Sequence, residues 1–341
     1  MFFKWSLRAI ALYAVLAALL AAAAAWYELT RPLEVAGGVA EVRVASGATA
    51  RSIARQLREA GVPLYRWEFV AAATLSHATR SLRPGRYRIE GATSVLALVD
   101  KFRKGDFERE QLTVLEGITF AELRGVLSRS PDLRHDTAAW TDAQILHAVG
   151  AAEPAAEGLF APDTYTFDPE SSDLEIYRQA YQTQKDRLAR AWQTRADNLP
   201  YAEPYQALIM ASIIEKETGR PDERGQIAAV FVNRQRLGMP LQTDPSVIYG
   251  LGAQYAGRLH KRDLLHDTPY NTYTRAGLPP TPISLPGRAA LEAALNPDLS
   301  KALYFVARGD GTSEFSATLA DHNRAVDHFQ RGTVRHGAAG K

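Results

Sequence analysis

The sequence predicts an α+β protein: one N-terminal membrane helix, a small module of strand-and-helix units, and a larger, mainly helical domain with an irregular β-rich part. Three observations carry that prediction. An uncharged apolar run lies near the N-terminus, and a strand–turn–helix pattern occurs twice beyond it. In the second half, long amphipathic segments alternate with loops dense in proline, amide and aromatic residues. Composition agrees. Of 341 residues 46% are hydrophobic and 23% charged, the balance of a folded chain, long enough for about two domains. With 40 basic against 38 acidic residues the net charge is only +2, which argues against a general nucleic-acid binder. Cysteine is absent, so disulfides, thiolate zinc sites, iron–sulfur clusters and cysteine nucleophiles are excluded together.

The apolar run is Ala9 to Tyr27, AIALYAVLAALLAAAAAWY. At about 1.5 Å per residue it reaches roughly 28 Å, close to the hydrocarbon thickness of a bilayer. Lys4 and Arg8 precede it and Glu28 follows, so the basic side should remain cytoplasmic and the rest of the chain should be exported. The alanines also offer small residues to a signal peptidase, but the run exceeds the usual signal core of about 7–15 residues. The expected order is therefore a cytoplasmic tail at 1–8, a membrane helix at 9–27 and a linker at 28–40, where Pro32 and Gly37-Gly38 break regular structure.

Residues 42–57, VRVASGATARSIARQL, and 112–127, LTVLEGITFAELRGVL, share one pattern: a short alternating strand, a glycine turn, a threonine cap and a helix with apolar residues four apart. Val44, Gly47, Thr49, Ile53 and Leu57 correspond to Val114, Gly117, Thr119, Leu123 and Leu127. Thr119 and Glu122 read as a capping box. Gly91-Ala92-Thr93 is a fainter echo, and Thr141 a plausible cap for a helix ending near Val149. Together 41–150 read as a repeated strand–helix region. Its first copy resembles a LysM-like module, a kind that grips N-acetylglucosamine polymers; the same pattern also serves as plain scaffold.

In the second region, 151–331, a long charged helix spans Leu174 to about Arg195. A shorter one, YQALIMASIIEKETG at 205–219, lies between Pro204 and Gly219-Arg220-Pro221, the expected helix punctuation. Leu208 and Ala211 share the stripe of Glu215, so its carboxyl emerges from an apolar face. Desolvation disfavours the ionised form and suits a general acid. Glu217, about 200° around the helix, is expected near solvent. Taken alone, a glutamate ending an apolar helix is more often a solvated end charge. Another helix starts near Asp222 and stops at Gly238, with Ile227, Val230, Phe231 and Leu237 at helical spacing. The segments LQTDPSVIYG (241–250) and DTPYNTYTRAGLPPTPIS (267–284) combine rings, amides and rigid turns, as a polysaccharide groove needs. His260 and His266 read as surface residues, not metal ligands. No H-E-x-x-H, phosphate-loop or G-x-S-x-G pattern occurs. The tail at 332–341 is expected to be disordered.

The elements EGLFAPDTY (157–165), ASIIEKETG (211–219), VFVNRQRLGMPLQTDPSVIYG (230–250), PYNTYTRAGLPPTPIS (269–284), LYFVA (303–307) and HN (322–323) follow one another in order. In that order they resemble the endolytic murein transglycosylase family, the YceG-like proteins. The resemblance implies a lysozyme-like catalytic region with Glu215 as acid/base and no metal or cofactor. It also implies substrate contacts from Gln242, Thr243, Asp244, Tyr249, Asn271 and Tyr273, with Tyr273 against the sugar or orienting Glu215. Leu159 and Ala161 stand where the family tends to larger rings, which leaves the sugar subsite they would line in question. The implied reaction cleaves bonds between N-acetylmuramic acid and N-acetylglucosamine in nascent glycan strands, leaves 1,6-anhydro ends, and would terminate strand elongation. The implied setting is the cell inner membrane, single-pass, with the catalytic domain periplasmic and cell-wall synthases as partners. A hydrolytic muramidase and a non-catalytic peptidoglycan-binding scaffold are the competing readings.

Overall fold

The computed structural model describes residues 7–331. Residues 1–6 and the tail expected at 332–341 lie outside the described residues. Two compact units form. The first runs to Gln111 and takes in Pro131–Arg134 and Thr166–Ser171; the second comprises Leu112–Ser130, His135–Tyr165 and the chain from Ser172.

In the first unit the apolar run is a helix over Leu7–Thr30, and its Ile10–Thr30 portion is long and apolar enough to cross a membrane. The expected linker at 28–40 is not one. The helix continues to Thr30, and a strand follows almost at once over Leu33–Val44. That strand pairs antiparallel with Gly85–Thr93, Leu33 opposite Thr93 and Val44 opposite Gly85. Gly37 and Gly38, at φ 82° and 81°, take left-handed conformations and absorb a register shift between Glu34 and Val39, so the pair bends the strand without ending it. Leu33, Val35, Ala40, Val42 and Val44 are buried against the helices Ala50–Glu59, Arg66–Leu75 and Val95–Lys104, through Ile53, Leu57, Phe69, Leu98 and Phe102. Thr49 caps the first of these helices by accepting the Ser52 N–H at 3.2 Å, as its sequence pattern requires. Ser94, rather than the echo residue Thr93, caps the third.

The division at Gln111 places the second repeat copy in the C-terminal unit, although the sequence grouped it with the first. Aromatic packing explains this. Phe120, at the start of the Phe120–Ser128 helix, stacks on Phe160 with ring centroids 4.9 Å apart, and Phe160 meets Tyr177 at 5.6 Å. Thr119 and Glu122 form the expected capping box, and Thr141 caps Asp142–Val149.

The second unit is built around the helix Pro204–Glu217. Every residue from Ala207 to Ile214 is buried, so the helix is enclosed on all sides rather than along one stripe. Helices Asp173–Gln193, Arg224–Arg236, Asp244–Leu251 and Arg288–Leu295 pack on it. Part of the segment read as a loop at 241–250 is therefore helical, with Pro245 in its first turn. The described strands here include a hairpin, Tyr304–Ala307 against Ser313–Ser316. Leu159 and Ala161, which stand where the family tends to larger rings, are buried in the core.

Phe160→Ala should lower the stability of the second unit by about 3–5 kcal/mol, the usual range for truncating a core aromatic. Chemical denaturation of the detergent-solubilised chain, followed by near-UV circular dichroism, measures it.

Candidate active site

Full burial makes the end of the Pro204–Glu217 helix the place where polar chemistry emerges. Ser212 ties the neighbouring strand of chain to it. The Ile283 N–H donates to Ser212 Oγ at 3.0 Å, and Ser284 Oγ donates to the Ser212 carbonyl at 3.1 Å. Gly158, at φ 81°, lets the 157–161 turn approach Pro282 so closely that a Cβ there would fall 2.5 Å from the proline ring.

The two glutamates at the helix end meet different surroundings. Glu215 Oε2 accepts the Gly287 N–H at 2.8 Å, beside the N-terminus of the Arg288–Leu295 helix. Burial raises its proton affinity above that of an ordinary carboxyl. The Gly287 N–H opposes the shift, Glu116 adds to it, and Arg224 and Lys216 oppose it. Glu217 is half-buried and accepts the Thr243 hydroxyl on Oε2 at 2.7 Å. Burial is the first cause raising its proton affinity too. The Thr243 hydroxyl lowers it, Asp244 raises it, and Arg234 lowers it.

The expectation that Glu217 faces solvent is thus corrected. Its partner differs from that of Glu215, as two residues' spacing on a helix allows. Its side of an enclosed helix is covered by the 241–247 segment instead of water.

The polar loops gather on the Glu217 side. Thr243, 1% exposed, donates from its N–H to Thr272 Oγ1 at 3.0 Å, and Thr272 shares a 2.9 Å hydrogen bond with Ser246. Tyr273 donates its hydroxyl to Asp244 at 2.6 Å, and Glu217 and Arg234 both act electrostatically on that phenol. Gln242 is exposed and its N–H donates to the Thr272 carbonyl at 3.1 Å. Asn271, expected to contact substrate, is fully buried. Its amide donates to the carbonyls of Leu264 and His266, and its oxygen accepts the N–H groups of Tyr273 and Thr274. It organises the loop and has no free face for a ligand. Tyr249, half-buried, donates to Glu157 at 3.1 Å. His260 and His266 are exposed, and no cluster of histidine and acidic residues suited to a metal ion occurs among the described residues.

Two participants had no role assigned from sequence. Arg234 is a buried guanidinium whose charge reaches Glu217 and Tyr273. Its signal was present: it falls on the apolar stripe of Val230 and Phe231, where a charge is out of place. Glu157 is buried, accepts the Phe120 N–H at 2.9 Å, and has its pKa pushed up by burial to about 7.

Both carboxyls at the end of the enclosed helix thus have a raised proton affinity, and Glu217 lies beside Thr243, Asp244 and the half-buried Tyr273 phenol. The chain belongs to the YceG-like family, whose profile matches residues 42–328. It is 38% identical over 173 residues to a Bacillus subtilis protein named endolytic murein transglycosylase, covering 51% of this chain and 48% of that one. A Streptococcus pneumoniae protein of the same name is 26% identical over 319 residues, covering 84% of this chain and 57% of its own. The chain therefore spans about half the length of the curated relatives it matches. A crystal structure of a yceG-like protein from Listeria monocytogenes superposes with a TM-score of 0.53 at 29% identity, over 85% of this chain and 99% of that one.

The raised Glu157 carboxyl gives a stability prediction with a definite sign. Between its ordinary value of 4.5 and about 7 the folded state holds more protons than the unfolded state, so stability falls as pH rises through that window and levels off above it. Glu157→Gln should flatten this fall. Denaturation midpoints of both proteins from pH 4.5 to 8 test it, and parallel curves would refute it.

Proposed function

We propose that the chain is an endolytic lytic transglycosylase of peptidoglycan, held at the cell inner membrane by its N-terminal helix, with the rest of the chain on the periplasmic side. On this reading the C-terminal unit is a lysozyme-like catalytic region, the first unit is a LysM-like module that grips glycan, and synthases of the wall are partners. The proton donor is Glu217 rather than Glu215. The observation that supports this choice is the Thr243–Glu217 hydrogen bond, which ties that carboxyl to the loop carrying Gln242, Asp244 and, through Asp244, Tyr273.

Protonated Glu217 gives its proton to the oxygen joining N-acetylmuramic acid to N-acetylglucosamine, and the bond to the muramyl anomeric carbon breaks. The acetamido oxygen of the muramyl residue stabilises the oxocarbenium-like centre from within the substrate. Glu217, now a carboxylate, takes the proton of the muramyl 6-hydroxyl as that oxygen closes on the anomeric carbon. The product is a 1,6-anhydro end and the acid is regenerated. An intramolecular hydroxyl outcompetes water through its effective concentration, and no second carboxylate is required. Burial keeps Glu217 protonated more readily than a surface carboxyl, and Thr243 and Arg234 keep its conjugate base within reach. Glu215, bonded to the Gly287 N–H, supports the packing of the Arg288–Leu295 helix.

Glu217→Gln is expected to cut the release of anhydro-ended glycan from purified sacculi by about 10²–10⁴-fold, while Glu215→Gln stays within about ten-fold of the unmodified chain. The reverse ranking would make Glu215 the donor. Mass spectrometry of the products separates the chemistries, since hydrolysis gives reducing ends one water heavier. Sacculus binding without cleavage by the unmodified chain would support the scaffold reading.

A further inference from the structure

Arg234 is 8% exposed on the Arg224–Arg236 helix. A guanidinium is a donor at every nitrogen and an acceptor at none, so its burial demands oxygens placed around it. Nε donates to the Leu303 carbonyl at 2.6 Å. Nη1 donates to the carbonyls of Leu241 at 2.8 Å and Pro240 at 3.4 Å, and to the side-chain oxygen of Gln242 at 3.3 Å. The charge also lies over the Tyr304 ring, 5.1 Å from its centroid. All of these partners are neutral.

Gln242 is held in an unusual state by this arrangement. Its φ of 53° lies in the left-handed region, which a non-glycine residue keeps only where its surroundings impose it. Its side chain is exposed, yet one end of the carboxamide is spoken for. Because Arg234 cannot accept, the carboxamide atom it meets must be the oxygen. The amide nitrogen is then the end left for a ligand.

We propose that Arg234 is a positioning residue that locks Gln242 with its carboxamide oxygen inward, so that Gln242 meets substrate only as a hydrogen-bond donor. The surface at this point then selects an acceptor, and the carbonyl oxygen of an N-acetyl group on a sugar has that chemistry. A free ammonium, as on a de-N-acetylated sugar, would face two N–H groups and be rejected. The proposal rests on reading this surface as a glycan site.

The test measures binding, which does not depend on which glutamate donates the proton. The full chain in detergent, carrying both Glu215→Gln and Glu217→Gln to prevent turnover whichever glutamate is the donor, is titrated with soluble N-acetylated peptidoglycan oligosaccharides and with their de-N-acetylated counterparts. Gln242→Glu keeps the size of the side chain and can still accept from Arg234, but it offers no donor. It should melt at or above the parent temperature, bind the N-acetylated glycan about ten-fold more weakly, as for one lost hydrogen bond, and lose the preference over the de-N-acetylated form. Arg234→Lys, which keeps the charge without the fork, should weaken binding similarly. Combined with Gln242→Glu it should add little, since both act through one group. With both glutamates intact the effect should appear in KM more than in kcat. Parent-like binding by Gln242→Glu, or additive losses in the double variant, would overturn the assignment; if Arg234→Lys does not fold, Gln242→Glu decides alone. Failure of the unmodified chain to bind or cut any glycan would instead sink the glycan reading itself.

Discussion

Enclosure of the Pro204–Glu217 helix governs the rest of the second unit. A helix buried from Ala207 to Ile214 has no solvent-facing side on which to place a charge, so polar side chains can leave it only where it ends. Two carboxyls emerge there, and each needs donors close by, because an unpartnered buried charge is expensive. The fold answers with two different devices. One is a backbone N–H at the start of a neighbouring helix, serving Glu215; the other is a threonine hydroxyl on a loop, serving Glu217. Glu215 lies among Glu116, Arg224 and Lys216, and Glu217 beside Thr243, Asp244 and Arg234, so two glutamates separated by one lysine meet different surroundings.

Much of this was legible in the amino-acid order. Threonine caps at 49 and 119 appear where glycine turns precede apolar spacing, Thr141 caps its helix without one, and the punctuation by Pro204 and Gly219 bounds its helix closely, because these signals are local. Gly37-Gly38 misled in the opposite sense. Glycines in left-handed conformation serve a strand bulge as readily as a linker, and only the partner strand decides between them. The placement of Asn271 and Glu217 was illegible for a similar reason. Whether an amide faces a ligand or its own loop depends on residues five to seven positions back, Leu264 and His266, whose carbonyls it takes. Whether the far side of a helix is wet depends on a segment more than twenty residues away.

Charge in this site is arranged by neutral partners more than by ion pairs. Arg234 is surrounded by carbonyls and a ring, and Thr243, Ser246 and Thr272 form a hydroxyl network with low exposure. Such an arrangement leaves the carboxyl at Glu217 influenced by a cation without being neutralised by it. A direct salt bridge would instead favour the ionised carboxyl strongly.

The junction between the apolar helix and the first unit has a mechanical consequence. Leu29 is already part of that unit's core, and Arg31 bridges Glu28 on the helix to the buried Glu68. Strand begins at Leu33, so no slack chain separates the two. With the helix seated in a bilayer, the first unit rides on it like a bracket on a post. Tilt of the post becomes tilt of the bracket, and lengthening this joint with a flexible spacer would turn a fixed mount into a leash.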